Sequence, residues 1–295
     1  MSAEGRVRWA ILGVGTAGFA RAKAILRDPR SELVAVYRGH RAAETGVLPV
    51  DSVLEAIELA DVVAIASPSG LHPSQVRAVL RAGRHAIVEY PLAPTEEVAA
   101  GLFALAHEKG RVLHVEHIEL LSGAARILAG NVQAITVKRA SVTFEGRGSE
   151  SVAGGDLAMD NVARIHRLVH VTGPLRSVDE VHHEPGRLTA RVTLHNGAPA
   201  EMSFEQSPYY ARRTVLEVED HRDEWRLENL GLYRRKVPQT ILEAVPLFEE
   251  DHAWAMRRIA DEEPRSYVDE ARILHVMRVV DMLREGRTGK VSRDA

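Results

Sequence analysis

The chain has 295 residues, 45% hydrophobic and 27% charged, with 41 acidic residues against 38 Lys and Arg and a formal net charge of −3. That length predicts about two domains of roughly 100–200 residues each, and the balanced charge excludes the global basic field of a nucleic-acid or membrane-surface protein. The absence of cysteine excludes disulfides, thiolate metal sites and a cysteine nucleophile. No apolar run approaches the ~18 residues of a membrane span, and Met1 to Arg6 shows no signal-peptide pattern, so a cytoplasmic protein without membrane or nucleic-acid partners is expected.

Residues 7–12 read as a short buried strand, followed by Gly13-Val-Gly15-Thr-Ala-Gly18 and a helix from Phe19 to Leu26, closed before Pro29. Leu33 to Tyr37 is a second strand. Ser52 to Leu59 is helical, with Asp51 or Ser52 as N-cap. Val62 to Ala66 is a third strand, broken by Ser67-Pro68-Ser69-Gly70. Pro73 to Ala82 is a helix with Gly83 in a left-handed cap. His85 to Val88 is a fourth strand, Thr95 caps a helix running to Lys109 and ended by Gly110, and Arg111 to Val115 is a fifth strand. Strands and helices alternate at short spacing through residues 6–117, which predicts βαβ units in a doubly wound parallel sheet.

Beyond this, residues 132–144, 188–194, 200–205 and 215–219 alternate apolar and polar side chains. They predict an α+β domain with a large, mainly antiparallel sheet exposed on one face. Helices near 156–171, 239–262 and 267–284 are expected to cover the other face; in the last, Ile273, Leu274, Met277, Val280 and Leu283 form a core stripe. Residues 145–155 read as a loop and 284–295 as a charged, frayed tail. The expected division is a dinucleotide-binding domain over 1–121 and a substrate and oligomerisation domain over 122–295.

Gly-x-Gly-x-x-Gly alone is a weak signal, but here a strand precedes it and a helix follows it. Gly13 permits the tight turn, Gly15 lets the backbone approach a pyrophosphate, and Gly18 lets helix pack on strand, as in a Rossmann domain. Thr16 and Ala17 belong to the same loop, and the N-terminus of the helix that follows offers amides and a positive dipole to the phosphates. An NAD enzyme usually places Asp or Glu about 20 residues past this loop. This chain has Tyr37 and Arg38 there, and no acid until Glu44. Arginine suits a 2′-phosphate, with His40 and Arg41 as further groups; an exposed basic turn is the plainer alternative. NADPH is therefore the expected cofactor and NADH the weaker one.

Ser67-Pro68-Ser69-Gly70-Leu71-His72, then Ala82-Gly83-Arg84-His85-Ala86-Ile87-Val88-Glu89, resembles the Gfo/Idh/MocA oxidoreductase pattern of strand, Pro-containing turn, His, Ala-Gly-Lys-His and Glu-Lys-Pro. In that family's sugar and inositol dehydrogenases the lysine is the acid/base beside the substrate hydroxyl. Here Tyr90 takes its place, within Val88-Glu89-Tyr90-Pro91. A phenol near its ordinary pKa of about 10 is neutral and lacks both the charge and the reach of lysine. Those dehydrogenases also carry Asp-x-x-x-His on a helix face, whereas Asp160 is followed four residues later by Arg164. Val88 to Pro91, together with Val112-Leu-His114-Val-Glu116-His117-Ile-Glu119-Leu-Leu121, is similar to the biliverdin reductase branch. Arg164, in Ala163-Arg164-Ile165 ahead of Gly173, falls at the arginine linked there with catalysis. The resemblance is strong over 6–121 and faint beyond.

The resemblance implies NADPH-dependent hydride transfer to the central C10 methine carbon of biliverdin, a linear tetrapyrrole, giving bilirubin. Such a reduction needs no lysine to take a hydroxyl proton. It implies catalytic parts for Arg164 and Tyr90, and cofactor contacts from Ser67, Pro68, His72, Glu89 and Tyr90 beside the glycine loop. Arg164 would polarise a pyrrole nitrogen, bind a propionate or fix a water. Tyr90 either meets the flat substrate or packs under the nicotinamide. Glu116 and Glu119 either approach substrate or make hinge hydrogen bonds and salt bridges between the two expected domains. A metal at His114, Glu116, His117 and Glu119 is disfavoured, because a strand sends these side chains to opposite faces. Two other readings stay open: a related oxidoreductase acting on a sugar-like or imine substrate, and a non-catalytic NADP(H)-binding regulatory protein. Monomer and sheet-mediated homodimer are both compatible with the pattern.

Overall fold

Trp9, Ile11 and Leu12 of Val7–Leu12 (β1) are fully buried, as expected of a strand covered on both faces, which reads as a continuous apolar run. The structure, a computed structural model, describes residues 5–146, 156–207, 212–242, 245–262 and 266–291. After β1 come Thr16–Arg27 (α1), Ser31–Tyr37 (β2), Val53–Leu59 (α2), Val62–Ile65 (β3), His72–Arg81 (α3), His85–Glu89 (β4), Glu96–Lys109 (α4) and Leu113–Glu116 (β5). Among the described residues the five strands form one parallel sheet in the order β2-β1-β3-β4-β5. Local chemistry sets the helix ends. Ser52 accepts from the Glu55 amide to start α2, and Thr95 from the Val98 amide to start α4. Gly110, at φ 58°, closes α4 in the left-handed region. The order reverses between β1 and β3, which is where an open α/β sheet leaves a crevice for a ligand.

The second set of elements begins with Gly123–Asn131 (α5), Val137–Gly146 (β6), Leu157–Asp160 (α6), Val162–Thr172 (α7), Leu175–Glu184 (β7), Arg187–Leu194 (β8), Pro199–Gln206 (β9) and Arg212–Asp220 (β10). Glu224–Glu228 (β11), Gly231–Arg234 (β12) and Val237–Pro238 (β13) follow. After Leu247–Ile259 (α8) and Glu270–Arg284 (α9), Gly289–Lys290 (β14) adds an edge strand beside β7. Among the described residues this sheet has nine strands, in the order β13-β12-β11-β10-β6-β9-β8-β7-β14. Every pairing is antiparallel except β6 with β9. Alternation places Leu188, Ala190, Val192, Ala200, Met202 and Phe204 inward, and α7 packs on β6 and β10.

The chain divides into two compact units, Met1–Ile118 with Ala244–Glu270, and Glu119–Glu243 with Ala271–Ala295. The division thus differs from a single boundary after 121, because the chain returns to the first unit. There α8 packs on α1, and Ala255 and Met256 join Trp9, Ile25 and Leu33 in its core. The helix expected over 239–262 starts only at Leu247, after Pro246, and belongs with the parallel sheet rather than the mixed one. The helix expected over 156–171 is broken at Asn161, whose side-chain Nδ2 donates to the Leu157 carbonyl at 2.8 Å. From residue 147 on, the loop expected over 145–155 lies outside the described residues, as does the tail after 291.

Candidate active site

The glycine loop leaves β1 with Gly13 at φ 93°; a Cβ there would stand 2.6 Å from the Ser67 amide nitrogen. At Gly18 it would stand 2.0 Å from the Gly13 carbonyl oxygen. Protein atoms therefore explain both glycines. Gly15 differs: its backbone is extended, and a Cβ would meet only His40 Cε1 at 3.9 Å. The bare backbone at Gly15 suits something outside the protein, and a pyrophosphate fits that opening. No side chain caps α1, so the first amides of that helix, at Thr16 and Ala17, suit the same anion. Gly39, at φ 121°, packs against the Val14 backbone, and the Val14 amide donates to the Arg38 carbonyl at 2.8 Å. The loop and the end of β2 are thus held together. Arg38 is exposed and lies over the Tyr37 ring at 5.2 Å. Arg41 is instead paired with Glu44 at 2.7 Å and stacked on Phe19, so Arg38 is the better placed of the two for a 2′-phosphate. Ser67 donates to Gln75 at 2.5 Å. His72 is buried, with its ring nitrogens 2.8 Å from the carbonyl oxygens of Ser67 and Pro91. It braces the turns after β3 and β4 rather than offering itself to a ligand.

Glu89 ends β4 and Tyr90 follows it. Tyr90 lies parallel to His117, with ring centroids 4.9 Å apart, and the Tyr90–Pro91 bond is cis. Burial raises the Tyr90 phenol well above its ordinary pKa, so it stays neutral. Glu116, paired with Glu89 in the register of β4 and β5, is 3% exposed and accepts from Arg21 Nη2 at 2.9 Å. Arg21 also bonds Asp251 on α8. Asp251 further accepts from His114 Nε2 at 2.8 Å and from the Tyr267 hydroxyl at 2.6 Å. Arg258 faces His114 Nδ1 at 3.3 Å and donates to it, which places the ring proton on Nε2. Burial alone would raise the Asp251 carboxyl, but Arg21 and His114 more than offset it and hold it well below the usual carboxylate range. Burial and the neighbouring Glu89 push Glu116 the opposite way, well above that range. Glu116 is thus bonded to Arg21 within the first unit.

In the second unit, Arg164 on α7 is 8% exposed. Its Nη1 donates to the Asp160 carbonyl at 2.9 Å, and its guanidinium lies 4.1 Å from the Phe144 ring centroid. Burial, and next the nearby Arg212, push it down to about 10, which still leaves it cationic at neutral pH. Glu119 pairs with Arg167, and with Arg212 at 2.7 Å. Burial would raise this carboxyl, but the two arginines override it and lower it. Two guanidiniums thus bond this one carboxylate and Arg164 adds a third positive charge nearby, leaving net positive charge suited to an anionic group. The sequence reading brought Arg164 and Glu119 forward and missed Arg167 and Arg212. Arg167, three residues beyond Arg164 on one helix face, carried a readable signal; Arg212 carried none. Arg21 and Asp251 were missed as well. His114 and Glu116 are absorbed by the Arg21 network, and no group of three or more His, Asp and Glu among the described residues could hold a metal.

Residues 7–117 match the Gfo/Idh/MocA oxidoreductase family, NAD-binding Rossmann fold. Biliverdin reductase A of Mus musculus is 30% identical over 220 residues, spanning 70% of this chain and 74% of that protein. The Homo sapiens protein of that name is 29% identical over 219 residues, spanning 70% and 73%. A solved biliverdin reductase from Synechocystis, in complex with biliverdin and NADP+, superposes with a TM-score of 0.81 at 27% identity, covering 95% of this chain and 99% of that chain.

Proposed function

Because this chain belongs to the Gfo/Idh/MocA oxidoreductase family and uses NADPH, we propose that it reduces biliverdin to bilirubin, with the hydride delivered to the C10 methine carbon. Tyr90 carries this reading. It stands where the family's sugar dehydrogenases hold a lysine, and its half-buried phenol stays protonated, so it cannot take a proton from an alcohol at neutral pH. Reduction of a conjugated carbon needs no such base. The cofactor supplies the hydride; the protein supplies position and charge. Gly15 and the N-terminus of α1 seat the pyrophosphate, and Arg38 takes the 2′-phosphate. Tyr90, held parallel to His117, presents a flat apolar surface to a flat substrate. In the second unit, the positive cluster of Arg164, Arg167 and Arg212 suits a propionate, and the lack of an ion pair at Arg164 among the described residues supports a charge-balancing part for it.

The test is direct. Protein, NADPH and biliverdin are mixed, and loss of the green absorbance is followed together with gain of the yellow. Conversion is expected. NADPH binding without any colour change would sink the reading and favour a non-catalytic NADP(H)-binding protein. Turnover of a sugar nucleotide instead would favour the dehydrogenase alternative.

A further inference from the structure

Three carboxyl groups and one guanidinium meet at the carboxyl ends of β4 and β5. Arg21 from α1 faces Asp251 from α8, Glu116 from β5 and Glu89 from β4. Asp251 is satisfied as an anion, receiving Arg21, His114 and the Tyr267 hydroxyl. Glu116 is not in the same position. It receives one N–H from Arg21, and the residue opposite it in the last register pair of the two strands is Glu89. Two carboxylates side by side on paired strands are both acceptors, and the single guanidinium is already shared with Asp251. Away from water such a pair keeps one proton between its members. Glu116 is the buried member and Glu89 the half-buried one, so the proton has a way out through Glu89.

The location matters. Arg38, at the end of β2, fixes the adenosine side of the dinucleotide, and the glycine loop after β1 fixes the pyrophosphate. With strands ordered β2-β1-β3-β4-β5, the reacting half of the dinucleotide runs the other way, past β3 toward β4. We propose that Glu89 and Glu116 hold one shared proton at the carboxyl ends of β4 and β5, and that this pair supplies the proton accompanying hydride transfer. The inference rests on the biliverdin reading for the identity of the acceptor. The bound dihydronicotinamide would supply a hydride, with both electrons, for the new C–H bond at the methine carbon. The displaced conjugated pair moves to a pyrrole nitrogen. That nitrogen gains its N–H as the shared O–H of the carboxyl pair breaks. The tetrapyrrole is reduced by two electrons, NADPH leaves as NADP+, and the carboxyl pair recovers its proton from water.

Two measurements test this. Infrared difference spectra of wild type against Glu116→Gln at neutral pH read the pair without substrate. Wild type is expected to show a protonated-carboxyl C=O stretch that shifts in D2O, and the variant to lack it; absence of the band in wild type overturns the proposal. Glu116→Gln keeps the shape and still accepts from Arg21, so NADPH affinity should be unchanged. Turnover of biliverdin should fall at least about tenfold, because the donor proton is gone. Wild-type turnover should fall as pH rises through the pKa of the pair, and the variant should lose that alkaline limb; a variant with wild-type rate and profile overturns the proposal. If Glu116→Gln fails to fold, Glu89→Gln removes the pair from its exposed side and reads the same band and the same limb. If wild type does not reduce biliverdin at all, the assignment of the acceptor falls, while the infrared band alone decides whether the pair holds a proton.

Discussion

Arg21 in the first unit and Arg226 in the second each bond two carboxylates, yet their surroundings give these bonds opposite weight. Arg21, Glu116 and Asp251 are all 4% exposed or less at the side chain. Arg226 bonds Glu217 at 2.7 Å and Glu228 at 2.8 Å on the open face of the mixed sheet, with side chains 29–51% exposed. Water and salt screen the second set, and ordering long side chains offsets much of the remaining attraction. In the first set water is excluded, so each charge depends on its neighbours. The same residue types therefore serve as a structural commitment in one unit and as a soluble surface in the other.

Arg21→Met should break that commitment. It leaves Asp251 and Glu116 without their cation and should cost about 3–5 kcal/mol in denaturant unfolding; a loss below about 1 kcal/mol would place the network with the surface pairs. His252 sharpens the point through pH. It is buried beside Trp9, and burial, then Arg21, push its pKa down to about 4. An unfolded histidine titrates near 6.5. Between those values the unfolded chain binds the extra proton, so stability falls as pH falls from about 6.5 toward 4, by roughly 3 kcal/mol. His252→Gln should flatten that part of the stability–pH curve, read by unfolding at several pH values; an unchanged slope would remove His252 as its source. Arg164 stands between the two extremes, buried like Arg21 but without an ion pair among the described residues. Arg164→Ala should slow biliverdin turnover at least about tenfold, about 1.4 kcal/mol of barrier, while stability stays within about 1 kcal/mol and NADPH affinity is kept. Wild-type turnover would take Arg164 out of the reaction. Arg226→Met, the smallest effect, should change stability by less than about 1 kcal/mol and leave turnover unchanged.

The first unit was readable in the sequence because its signals are local. Ser52, Thr95, Gly83 and Gly110 mark helix ends within a turn of the residues they cap, and a strand covered on both faces is a plain apolar run. The second sheet was harder. Leu175–Glu184 ends in a run of exposed residues and pairs with β8 through two register shifts, so its alternation fades. Nothing in the chain pattern announces the parallel pairing of β6 with β9. The site divides in the same way. The glycine loop, Arg38 and Tyr90 are motif positions. Arg21 meets Asp251 across 230 residues, and Arg212 meets Glu119 across 93; such contacts exist only once the chain is folded, and no periodicity foretells them.

The return of α8 has a consequence for synthesis. The first unit closes only when residues 244–270 arrive, roughly 150 residues after its sheet is complete. At translation speeds of about 5–20 residues per second, the parallel sheet waits on the order of 10–30 s on the ribosome with the α8 side of α1 uncovered. During that interval Arg21 and Glu116 face water or a chaperone rather than Asp251. A gene truncated after residue 118 would release that intermediate as its final product, with Trp9 and Ile25 stripped of the Ala255 and Met256 cover that completes their core.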